Sequence, residues 1–395
     1  MGTRREPPGE RAGIATFTSV HSSGNIDYCR GSEMEPLPEP NNERSHASPD
    51  KQSLRLRGDP WLPEVAGIIN ELYARFVETL PSTHAAVAAR LPYLLGMTPV
   101  PWTRWSDVYA DTVLLGLPLG FVPEGCSARV QTLALDAASA HLLGVAAGFI
   151  QQRVHEQRLA ANSNLTELLP LLTAARDEAL GRVASQPPNA GLGFHACERA
   201  LAAAYAAEDS VRRKRVTSIE FAIYCSIAHN KRRAFVPASV ALAVRLNWDR
   251  RKQRLVEDMI DQLGIGLQLR RDVVEWPADQ REGLAWPAML GAEGFARAPV
   301  EELECWLHEE AILSRLLDVS SDAFARAAWA AKRLGLRPLA RWARGQAEVS
   351  ADLAARELKT MGTAIRWGHE ARERLVARQR ARDLGAPRIR GASDL

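Results

Sequence analysis

Apolar side chains recur at helical spacing between about Trp61 and Arg366. The stretch WLPEVAGIINELYARFVETL, which begins at Trp61, places them at i, i+3, i+4 and i+7, the spacing of an amphipathic helix. Ala and Leu dominate the region, clusters of Gly and Pro interrupt it, and no alternating run with hairpin turns stands out. The pattern predicts an all-α fold.

Composition divides the chain into three predicted parts. Residues 1–57 are rich in Pro, Gly, Ser, Asn and charge, which predicts a disordered N-terminal extension. Met34 offers a second start, which would leave residues 1–33 out of the protein. A single helical domain is predicted over 58–368, followed by an Arg-rich, basic C-terminal tail over 369–395.

Charge and cysteine usage narrow the partners and the compartment. A net charge of +3 on 395 residues argues against nucleic-acid binding. Five scattered cysteines without a CxxC pair fit a reducing cytosol, so a cytoplasmic location is expected. No uninterrupted apolar run approaches the roughly 18 residues that a membrane span needs, so no transmembrane segment is expected.

One predicted helix turns abruptly polar before Pro277, where it is expected to end. Gln268, Asp272 and Glu275 lie at i, i+4 and i+7 and form one stripe between apolar neighbours. A carboxylate in such a place needs a metal ion, a buried arginine or solvent at a cavity mouth. By spacing alone, a surface ion pair of Asp272 with a neighbouring arginine is the favoured interpretation.

Four stretches, in order, resemble motifs of the trans-polyprenyl diphosphate synthases. LGIGLQLRRDVVEWPADQREGLAWP resembles the second aspartate-rich region, with Gln268 on its Gln and Arg271 to Glu275 on D-D-x-x-D. SIEFAIYCSIAHNKRRAF places Lys231 on the Lys of the family's K-T pair. LTAARDEAL and YAAED are similar to two further helices and keep Asp177 and Asp209. The order of the motifs agrees from about 142 to 287.

The resemblance implies an isoprenoid-synthase-like antiparallel helical bundle around an elongated, apolar central cavity. Asp272 and Glu275 would be the metal ligands, with Mg²⁺ as the cofactor, and Gln268 would act with them in catalysis. The expected substrate is a prenyl diphosphate. The residues expected to bind it are Lys231, Arg270, Arg271, Gln151, His155 and Arg153.

The first aspartate-rich motif of the family is missing. Its place falls on Gln151, Gln152, Arg153, Val154 and His155, and no Asp-Asp pair occurs in the chain. Mg²⁺ prefers carboxylate oxygens, so these replacements should weaken metal binding, while Arg and Lys side chains could hold a diphosphate directly. The segment that grips the second diphosphate in elongating enzymes is also absent from residues 98–111.

Two functions from different classes follow. The first is a divergent terpene synthase that ionises an allylic prenyl diphosphate, with cyclisation or prenyl transfer. The second is a non-catalytic, polyprenyl-synthase-like subunit that binds and modulates a competent prenyl diphosphate synthase. The remnant of Asp272 and Glu275 favours the first, and the loss of the first motif favours the second. Either a homodimer or a heteromer with a related synthase is expected.

Overall fold

The computed structural model describes residues 61–108, 112–122, 126–155, 164–184, 193–213, 218–281, 285–291 and 299–359. These residues form helices joined by short turns, and they contain no β-strand. The prediction of an all-α fold is confirmed. The predicted N-terminal extension and basic tail lie outside the described residues, so the three domain bounds remain predictions.

Fifteen helices lie within the described residues, and several of them begin or end where a described range does. They are α1 (Trp61–Glu78), α2 (Ser82–Ala88), α3 (Leu91–Leu94), α4 (Trp105–Val108), α5 (Thr112–Leu115), α6 (Ala128–His155), α7 (Leu168–Val183), α8 (Phe194–Arg213), α9 (Phe221–Arg232), α10 (Val236–Arg245), α11 (Arg250–Arg281), α12 (Trp286–Gly291), α13 (Val300–Glu309), α14 (Ile312–Arg333) and α15 (337–359). Short 3₁₀ helices cover Leu117–Phe121 and Arg233–Phe235.

The central helix α6 is apolar on nearly all sides because it is surrounded by other helices. Small residues let its neighbours approach closely: a Cβ at Gly144 would lie 2.5 Å from the Phe194 ring of α8. By length and composition alone, α6 could cross a membrane. Since 67% of its 18-residue apolar stretch is buried inside the bundle, α6 has the surroundings of a core helix.

The long helix α11 packs antiparallel to α14. Ser320 Oγ of α14 donates a hydrogen bond of 2.8 Å to the carbonyl oxygen of Gly266, and the Phe324 ring covers the same glycine. Further along α11, Val273 and Trp276 share an apolar cluster with Leu313, near the start of α14. This packing fixes which face of α11 is turned away from α14, and that face carries the polar stripe.

The predicted end of α11 at Pro277 is wrong, because the helix continues to Arg281. A proline removes one backbone donor and crowds the preceding turn, so it usually ends or bends a helix. Here Pro277 comes directly after Trp276, which is buried against α14 and its neighbours. We infer that this packing holds the last turn of α11 in place despite the proline.

Two apolar clusters form the core, and α11 contributes to both. The larger cluster takes the buried α11 residues Val256, Met259, Ile260, Leu263 and Leu267, and the smaller takes Leu269, Val273 and Trp276, with the partly buried Ile265 packed against it. Buried polar side chains alternate with apolar ones where the clusters adjoin. We call these side chains, Gln268, Arg270 and Asp272, the polar layer of α11.

Candidate functional site

A cavity of about 110 Å³ opens between α6, α8, α9 and α11. Its apolar walls include Val145 and Phe149 of α6, Phe235, and Trp286 of α12. Its polar lining consists of Gln152, His155, Glu208, Asp209, Lys231, Arg232, Gln268, Arg271, Asp272 and Asp279. The cavity is therefore smaller and more polar than the elongated apolar cavity that the resemblance implied. Ligand pockets usually hold about 300–1,000 Å³.

Asp272 lies at the wall of this cavity with both carboxylate oxygens engaged. Tyr224 donates its hydroxyl to Oδ2 at 2.6 Å, and Gln268 donates Nε2 to Oδ1 at 2.7 Å. The Gln268 carbonyl oxygen accepts a hydrogen bond of 3.2 Å from Arg232 Nη2. The chain of Arg232, Gln268, Asp272 and Tyr224 therefore binds the carboxylate from within the protein.

Burial controls the protonation of Asp272. Removal from water raises the pKa of this carboxyl to about 6. The Tyr224 hydrogen bond, the charges of Lys231 and Arg271, and the Gln268 hydrogen bond all lower that pKa and limit the rise. The pKa of Tyr224 is raised well above its ordinary value by burial and by the adjacent Asp272 carboxylate. Tyr224 therefore remains a donor at neutral pH.

Lys231 reaches the cavity from the last turn of α9, as the sequence predicted for its position. Its ammonium group is ion-paired with Glu208 of α8 and lies 5.5 Å from the ring centre of Tyr205. Both partners of the ion pair are largely buried. The adjacent Arg232 also lines the cavity, and its Nε is buried with no hydrogen-bond partner among the described residues. That donor could bind an anion in the cavity.

The last turns of α6 face α11 across the cavity, but with Gln152 and His155 rather than Gln151 and His155. The His155 ring stacks on Tyr205 with ring centres 4.0 Å apart, and its Nε2 lies 3.6 Å from Asp209 Oδ1. Gln151 lines a small neighbouring cavity with Arg176. On α6 the predicted position of His155 therefore agrees with the structure, whereas the glutamine that faces the cavity is Gln152 and not Gln151.

Besides Gln151, three of the predicted site residues do not line the cavity. Arg270 is on the opposite side of α11, where it binds Gln346 of α15 and lies 5.1 Å from the Phe324 ring centre. Glu275 is half-exposed, accepts a 2.7 Å hydrogen bond from Arg271 Nε and does not line the cavity. Arg153 does not line it either. Arginines at successive positions point to different sides of a helix, so Arg270 and Arg271 cannot share a site.

The residues present do not fit the Mg²⁺ cluster that the sequence resemblance implied. The only carboxylate retained from the two motifs in the cavity, Asp272, is already bound to Tyr224 and Gln268. Arg271 lies where the resemblance would put a metal-binding aspartate, and its positive charge repels a cation, while α6 supplies an amide and an imidazole. Within the described ranges, no group of three or more His, Cys, Asp or Glu residues is placed to hold a metal ion.

Sequence reasoning missed four residues that shape the site: Tyr224, Arg232, Glu208 and Gln152. Tyr224 and Lys231 are at i and i+7 on α9, so the placement of Lys231 could have located Tyr224 on the same face. Of two tryptophans near the site, Trp286 lines the cavity, whereas Trp105 is buried between Tyr73 and Phe149. Trp105 thus has the core role that most tryptophans have.

No protein-family model matches the sequence, and no curated protein matches it. The folded chain is nevertheless similar to solved structures. A decaprenyl diphosphate synthase from Rhodobacter capsulatus is 16% identical with a TM-score of 0.50, over 76% of this chain and 98% of that chain. A polyprenyl synthetase from Streptomyces coelicolor A3(2) is 17% identical with a TM-score of 0.46, over 79% and 94%. A polyprenyl synthase from Caulobacter crescentus, complexed with calcium and isoprenyl diphosphate, is 16% identical with a TM-score of 0.47, over 76% and 99%.

The similarity to the decaprenyl diphosphate synthase extends over nearly the whole of that structure, so the described chain has the isoprenoid-synthase fold. The fold implied by the sequence motifs is confirmed. At this level of identity the similarity concerns the fold, and the function has to be argued from the cavity.

Proposed function

We propose that this protein is a non-catalytic member of the polyprenyl-synthase fold that binds a diphosphate group and modulates a competent prenyl diphosphate synthase. The state of Asp272 carries the proposal. Metal-assisted ionisation of an allylic diphosphate requires carboxylates that are free to bridge metal and leaving group. Here the carboxylate that the cavity keeps from the two motif positions, Asp272, is buried and hydrogen-bonded to Tyr224 and Gln268.

The cations of the cavity support retention of diphosphate binding. Lys231, Arg232 and Arg271 all line it, and charge-assisted hydrogen bonds from such groups bind phosphate oxygens well. Lys231 is already paired with Glu208, so diphosphate binding would replace the Glu208 carboxylate beside Lys231 with a phosphate group. The cavity volume of about 110 Å³ suits a small anionic group better than a diphosphate with its prenyl chain.

One observation favours the alternative, a terpene synthase acting on an allylic prenyl diphosphate. The same cations lie beside His155 and Trp286, so a bound diphosphate would have both charged donors and an aromatic wall nearby. In that function Lys231, Arg232 and Arg271 would stabilise the leaving diphosphate. Turnover would then depend only weakly on Mg²⁺ and would be lost in Asp272→Asn.

The decisive experiment measures turnover of C10 to C25 allylic diphosphates by the full-length chain, with Mg²⁺ and with EDTA. We expect no product from the chain alone and a changed rate or product length when it is added to the D-D-x-x-D synthase of its source organism. A buffer-matched inactive protein is the control. Turnover by the chain alone that Asp272→Asn abolishes would overturn the proposal and establish the synthase.

Diphosphate binding is tested through the Lys231–Glu208 ion pair. Lys231→Met should weaken binding of inorganic diphosphate by about 1–3 kcal/mol, the scale of one lost charged hydrogen bond. Glu208→Gln, which frees the same ammonium group, should strengthen binding. Calorimetric titration of both variants checks the direction of each change in diphosphate affinity. Unchanged affinity in both would show that the anion does not bind at Lys231.

A further inference from the structure

One end of the bundle is strongly basic, and the diphosphate cavity does not use it. It consists of residues 244–254, around the turn from α10 to α11, and residues 329–337, around the turn from α14 to α15. We call these two segments the basic end. They contain eight cations, Arg245, Arg250, Arg251, Lys252, Arg254, Lys332, Arg333 and Arg337, and one carboxylate, Asp249.

Helix geometry places the two segments at the same end. α11 and α14 cross in antiparallel fashion where Ser320 Oγ meets the Gly266 carbonyl oxygen. From there α11 extends back 16 residues to Arg250, and α14 extends forward 13 residues to Arg333. At 1.5 Å per residue these lengths are about 24 and 20 Å, so both helices reach a similar level.

The charges at the basic end are exposed and poorly balanced. Seven of the eight cations are exposed, and Arg245 is intermediate. Asp249 accepts a hydrogen bond from the backbone N–H of Lys252, so it caps the start of α11. The next carboxylates on α11, Glu257 and Asp258, come a turn further into the bundle. A concentration of positive charge therefore remains on this surface.

Apolar side chains stand among these charges. Val244 is 50% exposed and Trp329 is 57% exposed, and the Arg333 guanidinium lies 5.3 Å from the centre of the Trp329 ring. The Lys252 ammonium group lies over a second tryptophan ring, 5.9 Å from the centre of Trp248. Exposed tryptophan beside Arg and Lys is the combination found where proteins meet the headgroup region of a bilayer.

We propose that the basic end docks on the surface of an anionic lipid bilayer. Its cations bind the negative headgroups, while Trp329 and Val244 enter the interfacial region. These exposed apolar groups favour a lipid surface over nucleic acid, whose backbone would leave them in water. Along α11, Asp272 is 21 residues from Arg251, or about 30 Å, so the cavity stays clear of the membrane.

Vesicle sedimentation of the full-length chain tests the proposal. We expect at least tenfold stronger binding to phosphatidylcholine vesicles with 30% phosphatidylglycerol than to phosphatidylcholine alone, with release in 0.5 M NaCl. Arg251→Glu/Lys332→Glu should weaken binding at least tenfold, because each cation near such a surface strengthens it about fivefold. Trp329→Ala should reduce it severalfold.

The matched control is Arg315→Glu/Arg356→Glu, which reverses two exposed charges towards the opposite end of α14 and α15. It should bind vesicles nearly as well as wild type, and circular dichroism should show both double variants folded. Equal loss in the two variants, or no preference for phosphatidylglycerol, would overturn the proposal. Tighter binding to duplex RNA or DNA, lost in Arg251→Glu/Lys332→Glu, would overturn it in favour of a nucleic-acid surface.

Discussion

The free energy of unfolding of Asp272→Asn is expected to rise by about 2 kcal/mol relative to that of wild type between pH 4 and pH 8. The native pKa of Asp272 is about 6, against an ordinary value of 3.8, and one pKa unit corresponds to about 1.4 kcal/mol. A carboxyl whose pKa is raised by folding stabilises the native state below its unfolded pKa. That stabilisation is lost as the pH rises through about 6, and asparagine does not titrate.

Chemical denaturation of both proteins across this pH range measures the effect. Asp352→Asn, at an exposed carboxylate on α15, is the control and should follow the wild-type profile. The hydrogen bonds of the asparagine side chain contribute the same free energy at each pH, so they shift the whole profile of the variant equally. The difference in free energy of unfolding between Asp272→Asn and wild type should therefore still change with pH. Parallel profiles would mean that Asp272 is ionised throughout, as a metal-ligating carboxylate would be.

Arg270→Ala is expected to lower the free energy of unfolding by about 2–4 kcal/mol. Arg270 is buried, binds the Gln346 side chain and packs on the Phe324 ring. Removing the Arg270 side chain leaves the buried amide oxygen of Gln346 without its charged donor. It also opens a space between α11, α14 and α15. The same variant should bind inorganic diphosphate as wild type does, because Arg270 faces away from the cavity.

The adjacent arginine provides the matched comparison. Arg271 is partly exposed and pairs with Glu275 one turn along the same helix, an arrangement that contributes well under 1 kcal/mol. Arg271→Ala should therefore leave the unfolding midpoint nearly unchanged and weaken diphosphate binding. Urea titration should show a loss of stability only in Arg270→Ala, and calorimetry should show weaker diphosphate binding only in Arg271→Ala. A loss of diphosphate affinity in Arg270→Ala would contradict the assignment of the two sides.

The fold could be predicted from the sequence because helical periodicity and collinear motifs both depend on local spacing. The stripe of Gln268 and Asp272 and the position of Lys231 were found in this way, and these residues do line one cavity. The surface ion pair that spacing favoured for Asp272 does not occur, because Asp272 is 4% exposed and binds Tyr224 from another helix. Sequence spacing has no information about such a partner.

The remaining differences have similar physical causes. The rotation of α6 decides between Gln151 and Gln152, and it depends on close contacts such as that of Gly144 with Phe194. The roles of Arg270 and Arg271 depend on which side of α11 meets α14. Both are matters of packing between helices distant in sequence, whereas motif positions were assigned along a single helix.

The polar layer of α11 should influence which parts of the protein unfold together. It marks the place where the two apolar clusters adjoin, with Leu267 in one and Leu269 in the other. Regions with separate apolar cores can unfold as separate cooperative units. Backbone amides of α11 before Leu267 and after Leu269 should then exchange with solvent at two different rates. The two parts of α11 would then belong to different cooperative units of local unfolding, although they form one continuous helix.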